Sequence, residues 1–313
     1  MKQIIYGIVG VLLLCFPGQS VAEDGLYKRI SDMLQDKKAE VGVAVILNGK
    51  DTVTVGDGQR YPLMSVVKLH QALAVADYCG RNGLGLDTRI EVKPSDLKPD
   101  TYSPLRDKYP SGEVTLTVKE LLDYTLLWSD NNACDILFRL TGGPEATDAY
   151  IRQLGIKDFA IAVTEDAMHR HPERCYQNWS TPLATACVLE KLLTKELFNP
   201  DFQHYIQQAL IACQTGKERL PHPLIGTQAV IGHKTGTGDR NADGQIIGIN
   251  DAGFVFLPDG QRYTIVVFVK DSEESASDTA AIIADVSRTV YRFMASLAEG
   301  NPTDSLQIGD STK

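Results

Sequence analysis

The chain has only six cysteines among 313 residues, and their spacing matches no zinc pattern, which excludes a structural zinc module. Basic residues are in deficit as well: 31 Lys and Arg stand against 40 Asp and Glu, for a formal net charge of −9. That balance leaves no nucleic-acid footprint. Beyond the N-terminal segment no apolar run approaches the roughly 20 residues that a bilayer span needs, and no internal repeat is present. What remains is 43% hydrophobic and 23% charged, ordinary for a globular protein with room for one large or two packed domains.

The N-terminus is different in character. Lys2 precedes an apolar run over residues 4–16, followed by Pro17, Gly18 and small residues at Ser20 and Ala22. This pattern predicts a secretory signal peptide over residues 1–22, cleaved before Glu23, and a periplasmic or secreted mature chain with no stable membrane insertion. Leu14 is too large for the position before Cys15 in a lipoprotein box. Cleavage leaves Cys79, Cys134, Cys175, Cys187 and Cys213, an odd number. Four sit in apolar helical surroundings and read as buried free thiols, with a disulfide open to them in an oxidising compartment.

Periodicity supplies the elements. Residues 26–38 form an amphipathic helix, and residues 41–47 and 52–55 form strands joined by a two-residue turn at Asn48-Gly49. Pro62 fits a first helical position ahead of a helix over residues 63–79. Thr117 and Glu120 make a capping box, a further helix runs from Asn132 to Gly142-Gly143, and another covers 182–193. Strands return at 229–237, 251–257 and 263–270, and a helix over 277–297 precedes a polar tail, 299–313, read as disordered. Strands need partners, so the early hairpin and the late strands form one antiparallel five-stranded sheet. The expectation is an α+β protein of two lobes. An α/β lobe takes residues 23–60 and 207–298, with the terminal helices flanking the sheet, and an inserted all-helical lobe takes residues 61–206.

Three stretches carry chemistry. In YPLMSVVKLH, Ser65 and Lys68 stand three apart on the predicted helix. Residues so spaced lie about 5 to 6 Å apart, which puts a base beside a nucleophile. The same spacing recurs at Ser95 and Lys98, where Pro94 and Pro99 keep the two off one helical face. Spacing alone therefore does not separate catalysis from a helix cap and a surface lysine. Ser129-Asp130-Asn131 sets a hydroxyl and an amide at a helix junction, although these residue types also suit a plain turn and N-cap. Lys234-Thr235-Gly236-Thr237 follows Val230 and Ile231 on a strand and offers a cation, hydroxyls and N–H groups to an anion. The alternative is an edge strand with a solvated lysine.

In this order, the three stretches match the signature trio of class A β-lactamases and penicillin-binding proteins. The chain resembles a class A serine β-lactamase over residues 26–297, with the PER-type extended-spectrum branch most similar. The resemblance rests on MSVVKLH, WSDNNACDILFRLTGGP, TEDAMHRHPERCYQNW, GHKTGTG, NDAGFVFLPDG and VFVKDSEES. It implies that Ser65 is the acylating nucleophile, with Lys68 in the proton network that activates it. Ser129 then passes a proton to the leaving lactam nitrogen, and Asn131 holds the acylamide side chain of the substrate. Lys234, Thr235, Gly236 and Thr237 bind the substrate carboxylate, supported by Arg219, and Tyr102 is the aromatic at the cleft mouth. The Ser65 and Thr237 backbone N–H groups form the oxyanion hole, in which one donor is typically worth about 10² to 10³ in rate. Penicillins and above all cephalosporins are the implied substrates, with no cofactor or metal and a monomeric state.

The same resemblance makes Glu165 the base that activates water for deacylation. The loop departs from the common class A pattern: His169 replaces an asparagine, Val163 an arginine and Asn178 the aspartate that would pair with it. The usual loop-closing ion pair is therefore missing, as in the PER-type branch, where a rearranged loop and a roomier cleft suit bulky oxyimino-cephalosporins. His169 and His171 lack the second ligand cluster that a zinc site requires. Met64 and Gly238 stand where carbapenem-hydrolysing relatives carry a cysteine pair. A D,D-peptidase is the rival enzyme, but such peptidases lack the glutamate. A non-hydrolytic drug-binding module is the rival of another class.

Overall fold

The structure, a computed structural model, describes residues 21–298. Most of the proposed signal peptide and all of the 299–313 tail lie outside the described residues. In chain order the elements are α1 (Val21–Leu34), β1 (Glu40–Leu47), β2 (Asp51–Val55), β3 (Tyr61–Pro62), α2 (Val67–Arg81), β4 (Arg89–Val92), α3 (Pro104–Lys108), β5 (Val114–Thr117), α4 (Val118–Leu127), α5 (Asn131–Thr141) and α6 (Pro144–Gln153). Next come β6 (Phe159–Ala160), α7 (Glu165–Arg170), β7 (Trp179–Ser180), α8 (Pro182–Thr194), α9 (Pro200–Ile211), β8 (Val230–Thr237), β9 (Ile246–Phe256), β10 (Arg262–Ser272) and α10 (Ala276–Ala298).

The main sheet is five-stranded and antiparallel, in the order β2-β1-β10-β9-β8. It is buried on both faces, and alternation along the strands divides the core in two. Val43, Val45, Ile265 and Val267 join α1 and α10 in one apolar cluster. Ala44, Ile46, Val266 and Phe268 face the other way, into the cluster built on α2, α4, α5 and α8. Two covered faces explain why these strands read as continuous apolar runs. Helix α2 is likewise buried nearly all round, from Val67 to Ala76.

Several local expectations hold. Thr117 and Glu120 bond reciprocally at the start of α4, and Gly142, with φ 99°, caps α5. Others shift. Asn48 and Gly49 both take the left-handed conformation of a tight turn, but Leu47 pairs with Asp51, so Lys50 adds a residue to the loop. Pro62 does not start the helix, because it pairs with Trp179 in β3. The helix begins only after a 3-10 turn at Met64–Val66. The lobe boundary drawn between 206 and 207 falls inside α9, whose Phe202, Ile206 and Leu210 belong to the helical core.

Candidate active site

The turn ahead of α2 presents Ser65. Met64 holds φ at +48°, a left-handed value that strains a side chain with a Cβ, and such strain concentrates where geometry matters for function. One turn on, Lys68 is wholly buried. Its Nζ donates to Ser65 Oγ at 2.8 Å, to the Ser129 carbonyl at 2.9 Å and to Asn131 Oδ1 at 2.7 Å. An ammonium has three protons, so this set is complete. Glu165 Oε1 lies 2.8 Å from the same nitrogen but receives no aligned hydrogen bond, and the contact is one of charge. Buried Lys68 thus touches Ser65, the Ser129–Asn131 junction and Glu165.

Asp130 fixes that junction. Its buried carboxylate caps α5 through Ala133 N and also accepts from Ser103 Oγ and Leu105 N. The turn and N-cap reading is therefore correct for Asp130, while its neighbours face the cleft. Ser129 sits at φ 62°, and its Oγ accepts from Lys234 Nζ at 2.9 Å. Asn131 Nδ2 donates to Thr101 Oγ1 at 2.7 Å, and Asn131 N donates to the carbonyl of Tyr102. Tyr102 itself is 57% exposed.

Strand β8 closes the opposite wall. It is an edge strand, as the alternative reading had it, but the helical lobe covers it and Lys234 is fully buried. Burial, helped by the nearby Lys68 charge, lowers Lys234 to about 8. A Cβ on Gly236 would lie 2.6 Å from the Leu63 carbonyl and 3.2 Å from Ser65 N, so glycine is what lets β8 approach the Ser65 turn. Thr235 Oγ1 is 2.6 Å from Thr215 Oγ1. Arg219, 6% exposed, donates to the carbonyls of Gly236 and Asn250 and, at 2.7 Å, to Thr237 Oγ1. The arginine is thus a brace for Thr237.

Glu165 opens α7, where Thr164 is the N-cap. Two features hold this loop, and the first was not read from the sequence. Asp135, projecting from α5, accepts Glu165 N at 2.8 Å and Asp166 N at 2.9 Å. Burial raises its carboxyl to about 7. Its signal was a carboxylate on the apolar face of an amphipathic helix. The second is Asn178, fully buried, whose Oδ1 accepts from Ala162 N and Val163 N while Nδ2 donates to the Val163 carbonyl. A neutral amide therefore closes the loop where the common pattern uses an ion pair.

Asn178→Ala is expected to destabilise the protein by roughly 2–3 kcal/mol, since it leaves buried backbone groups unpaired. Asn178→Asp should be no better, because Val163 offers no cation to a buried charge. Urea unfolding checks both, and a stabilised Asn178→Asp would refute this account.

The cleft has two parts that meet at Ser65. A cavity of about 310 Å³ is lined by Ser65, Tyr102, Ser129, Asn131, Thr235 and Arg219, among others. A narrower one of about 110 Å³ runs past Glu165, Met168 and Pro172 to Gly238 and Asp239. Beyond Pro172 and Ile247 lies a hollow of about 660 Å³ bordered by Tyr176, Arg240 and Asp271. The second Ser-x-x-Lys pair is elsewhere and exposed, with Lys98 Nζ donating to the Ser95 carbonyl. All five described cysteines are free thiols, four of them buried. Among the described residues no helix is long and apolar enough to cross a membrane.

A serine hydroxyl, a buried lysine at its side and a buried carboxylate, held between a helical lobe and the edge of an antiparallel sheet, form the kind of cluster that serine hydrolases use. The comparisons agree. A family model described as the β-lactamase enzyme family matches residues 25–294. A β-lactamase of Bacteroides uniformis is 44% identical over 270 residues, covering 86% of this chain and 91% of its own length. The extended-spectrum β-lactamase PER-1 of Pseudomonas aeruginosa is 36% identical over 269 residues, covering 86% and 87%. A class A β-lactamase structure from Bacteroides cellulosilyticus superposes with a TM-score of 0.85 at 42% identity, covering 88% of this chain and 99% of its own. The chain belongs to the class A serine β-lactamase family and is a hydrolase.

Proposed function

We propose that the enzyme opens the β-lactam ring of penicillins and cephalosporins in two steps, with a preference for cephalosporins that extends to oxyimino side chains. The observation that carries this reading is Lys68, within 2.8 Å of both Ser65 Oγ and Glu165 Oε1. Ser65 attacks the lactam carbonyl while Lys68 and Glu165 manage its proton. The N–H groups of Ser65 and Thr237 receive the developing oxyanion. Ser129, bonded to Lys234, delivers a proton to the departing nitrogen. Glu165 then activates a water that hydrolyses the acyl-serine ester. Asn131 holds the acylamide group and Tyr102 flanks the mouth of the cleft. Lys234, Thr235, Gly236 and Thr237, braced by Arg219, take the substrate carboxylate.

The wide spectrum is supported by the space along the Glu165 loop and the hollow of about 660 Å³ beyond it. PER-1, an extended-spectrum enzyme by name, lends the same support. An N-terminal signal peptide and a monomeric mature enzyme in the periplasm or outside the cell complete the proposal.

The test is steady-state hydrolysis by the mature protein. A chromogenic cephalosporin should give sustained turnover and an oxyimino-cephalosporin useful turnover. A single stoichiometric burst would remove the hydrolytic reading, and hydrolysis of early cephalosporins alone would remove the wide spectrum. The pH profile adds a check on Lys234. Its charge is present below about 8 and lost above, so kcat/KM for carboxylate-bearing substrates should fall as pH rises through about 8. A profile flat to pH 9.5 would contradict that role.

A further inference from the structure

The Glu165 loop is anchored at both ends, by Asp135 at Glu165 and Asp166 and by Asn178 at Ala162 and Val163. The 3-10 turn between, Pro172–Gln177, meets the sheet through two neighbouring residues. Cys175 packs inward, in an apolar cluster with Met64, Val163, Met168 and Ile247. Tyr176 reaches outward, and its hydroxyl donates to Asp271 Oδ1 at the end of β10. The same hydroxyl accepts from Asn241 Nδ2, at 3.4 Å, in the turn between β8 and β9. Burial, with the Asp271 hydrogen bond adding to it, pushes this hydroxyl up to about 12, so it remains a donor at neutral pH.

The backbone places Asp271 for this contact. On β10, Lys270 and Ser272 pair with Gly248 and Ile246 of β9, and between them Asp271 takes φ 49°, a left-handed value that aspartate tolerates better than most residues with a Cβ. Ile247 therefore lies on β9 beside the Asp271 step. Ile247 and Pro172 each line both the narrow cavity of about 110 Å³ past Glu165 and the hollow of about 660 Å³ beyond it. One sits on the sheet and the other on the loop, so the opening between the two cavities depends on how far the loop stands from the sheet. The Tyr176–Asp271 contact joins the same two parts of the molecule.

We propose that Tyr176 and Asp271 form a clasp that fixes the gap between Pro172 and Ile247, and that this gap sets how large an acyl side chain the enzyme admits from the cleft into the hollow. The selection half rests on the proposed hydrolysis of oxyimino-cephalosporins, whereas the clasp itself does not. Both residues line the hollow and act through the loop, so they are positioning residues. With the clasp closed, a bulky side chain meets a wall already in place. With it open, each such substrate has to order the loop as it binds, and the cost appears in KM.

The experiment compares three variants of the full mature protein. Tyr176→Phe removes only the hydroxyl, Asp271→Gly suits the left-handed backbone without the carboxylate, and Asp271→Asn keeps an oxygen that can accept the hydroxyl proton. Trypsin, added without substrate and read by mass mapping, reports on the clasp. Cleavage after Arg174 should be about three- to ten-fold faster in Tyr176→Phe and Asp271→Gly and near the parent rate in Asp271→Asn, with cleavage after Arg288 on α10 unchanged. Steady-state kinetics reports on the selection. KM for an oxyimino-cephalosporin should rise about three- to ten-fold in the first two variants with kcat held within about two-fold, while kcat/KM for an early cephalosporin with a small side chain should not move. Combining Tyr176→Phe with Asp271→Gly should add nothing to either change alone. Unaltered cleavage after Arg174, or an equal rise after Arg288, would overturn the clasp. An open clasp with KM for the oxyimino substrate unchanged or lower, or with both substrates affected alike, would overturn the selection. A parent enzyme that turns over no oxyimino-cephalosporin would remove the selection together with the wide spectrum, and the trypsin result would still decide the clasp.

Discussion

Replacing Glu165 by glutamine is expected to convert the enzyme from one that turns over to one that stalls. The substitution keeps the volume and the loop contacts, since Asp135 and Asn178 hold the backbone and not the Glu165 side chain. What it removes is the basic carboxylate near Ser65. On the proposed mechanism, attack by Ser65 still has Lys68 at 2.8 Å, but water attack on the acyl ester loses its base. A positioned general base is typically worth about 10² to 10⁴ in rate, so turnover should fall by that order. The acyl-enzyme should then be visible by mass spectrometry on the peptide containing Ser65. Asp166 and Glu173 are the controls. Asp166 is paired with Arg170 and the Glu173 side chain is exposed, so neither should trap the intermediate when made an amide. Trapping by either one in place of Glu165→Gln would mean that the base has been misassigned.

Lys68→Ala should fail at the earlier step. Truncation removes the cation that contacts Ser65 Oγ, the Ser129 carbonyl, Asn131 Oδ1 and Glu165 at once. Acylation should slow by at least about 10² to 10⁴, and no acyl-enzyme should accumulate. The same change leaves Glu165, 7% exposed, without its counter-charge. Breaking a buried ion pair from one side typically costs about 3–5 kcal/mol, so thermal unfolding should also move down. Partial recovery of that stability in the double variant with Glu165→Gln would identify the stranded carboxylate as the cause. The two single variants thus separate the two halves of the cycle by where material collects. Accumulation of acyl-enzyme in Lys68→Ala would show that the lysine serves deacylation alone.

The elements that were legible in the sequence are those whose cause is local. A capping box at Thr117, a glycine stop at Gly142 and β-branched runs at the late strands all follow from propensity and alternation. Ser65, Lys68, Ser129 and Lys234 were found because their spacing matches a motif, and the structure brings them within hydrogen-bonding reach in one cleft. Pro62 misled because a strand pairing with Trp179, more than a hundred residues away in sequence, overrides its local preference for a helix start. Asp135 went unread because a carboxylate within an apolar helical face acquires its meaning only when the Glu165 loop docks on it.

The pairing of Glu40 with Lys270 has a consequence for the order in which the molecule can be completed. The central strand β10 comes almost last in the chain, yet it joins the early hairpin to β9 and β8. Closing so large a loop is entropically costly until the intervening residues have organised themselves. The helical lobe lies in sequence between the early hairpin and the late strands, and can therefore gather Ser65, Lys68 and Glu165 while the chain is still short of its end. Lys234 joins them only when the sheet zips shut. A chain that stops before β10 is thus half an active site.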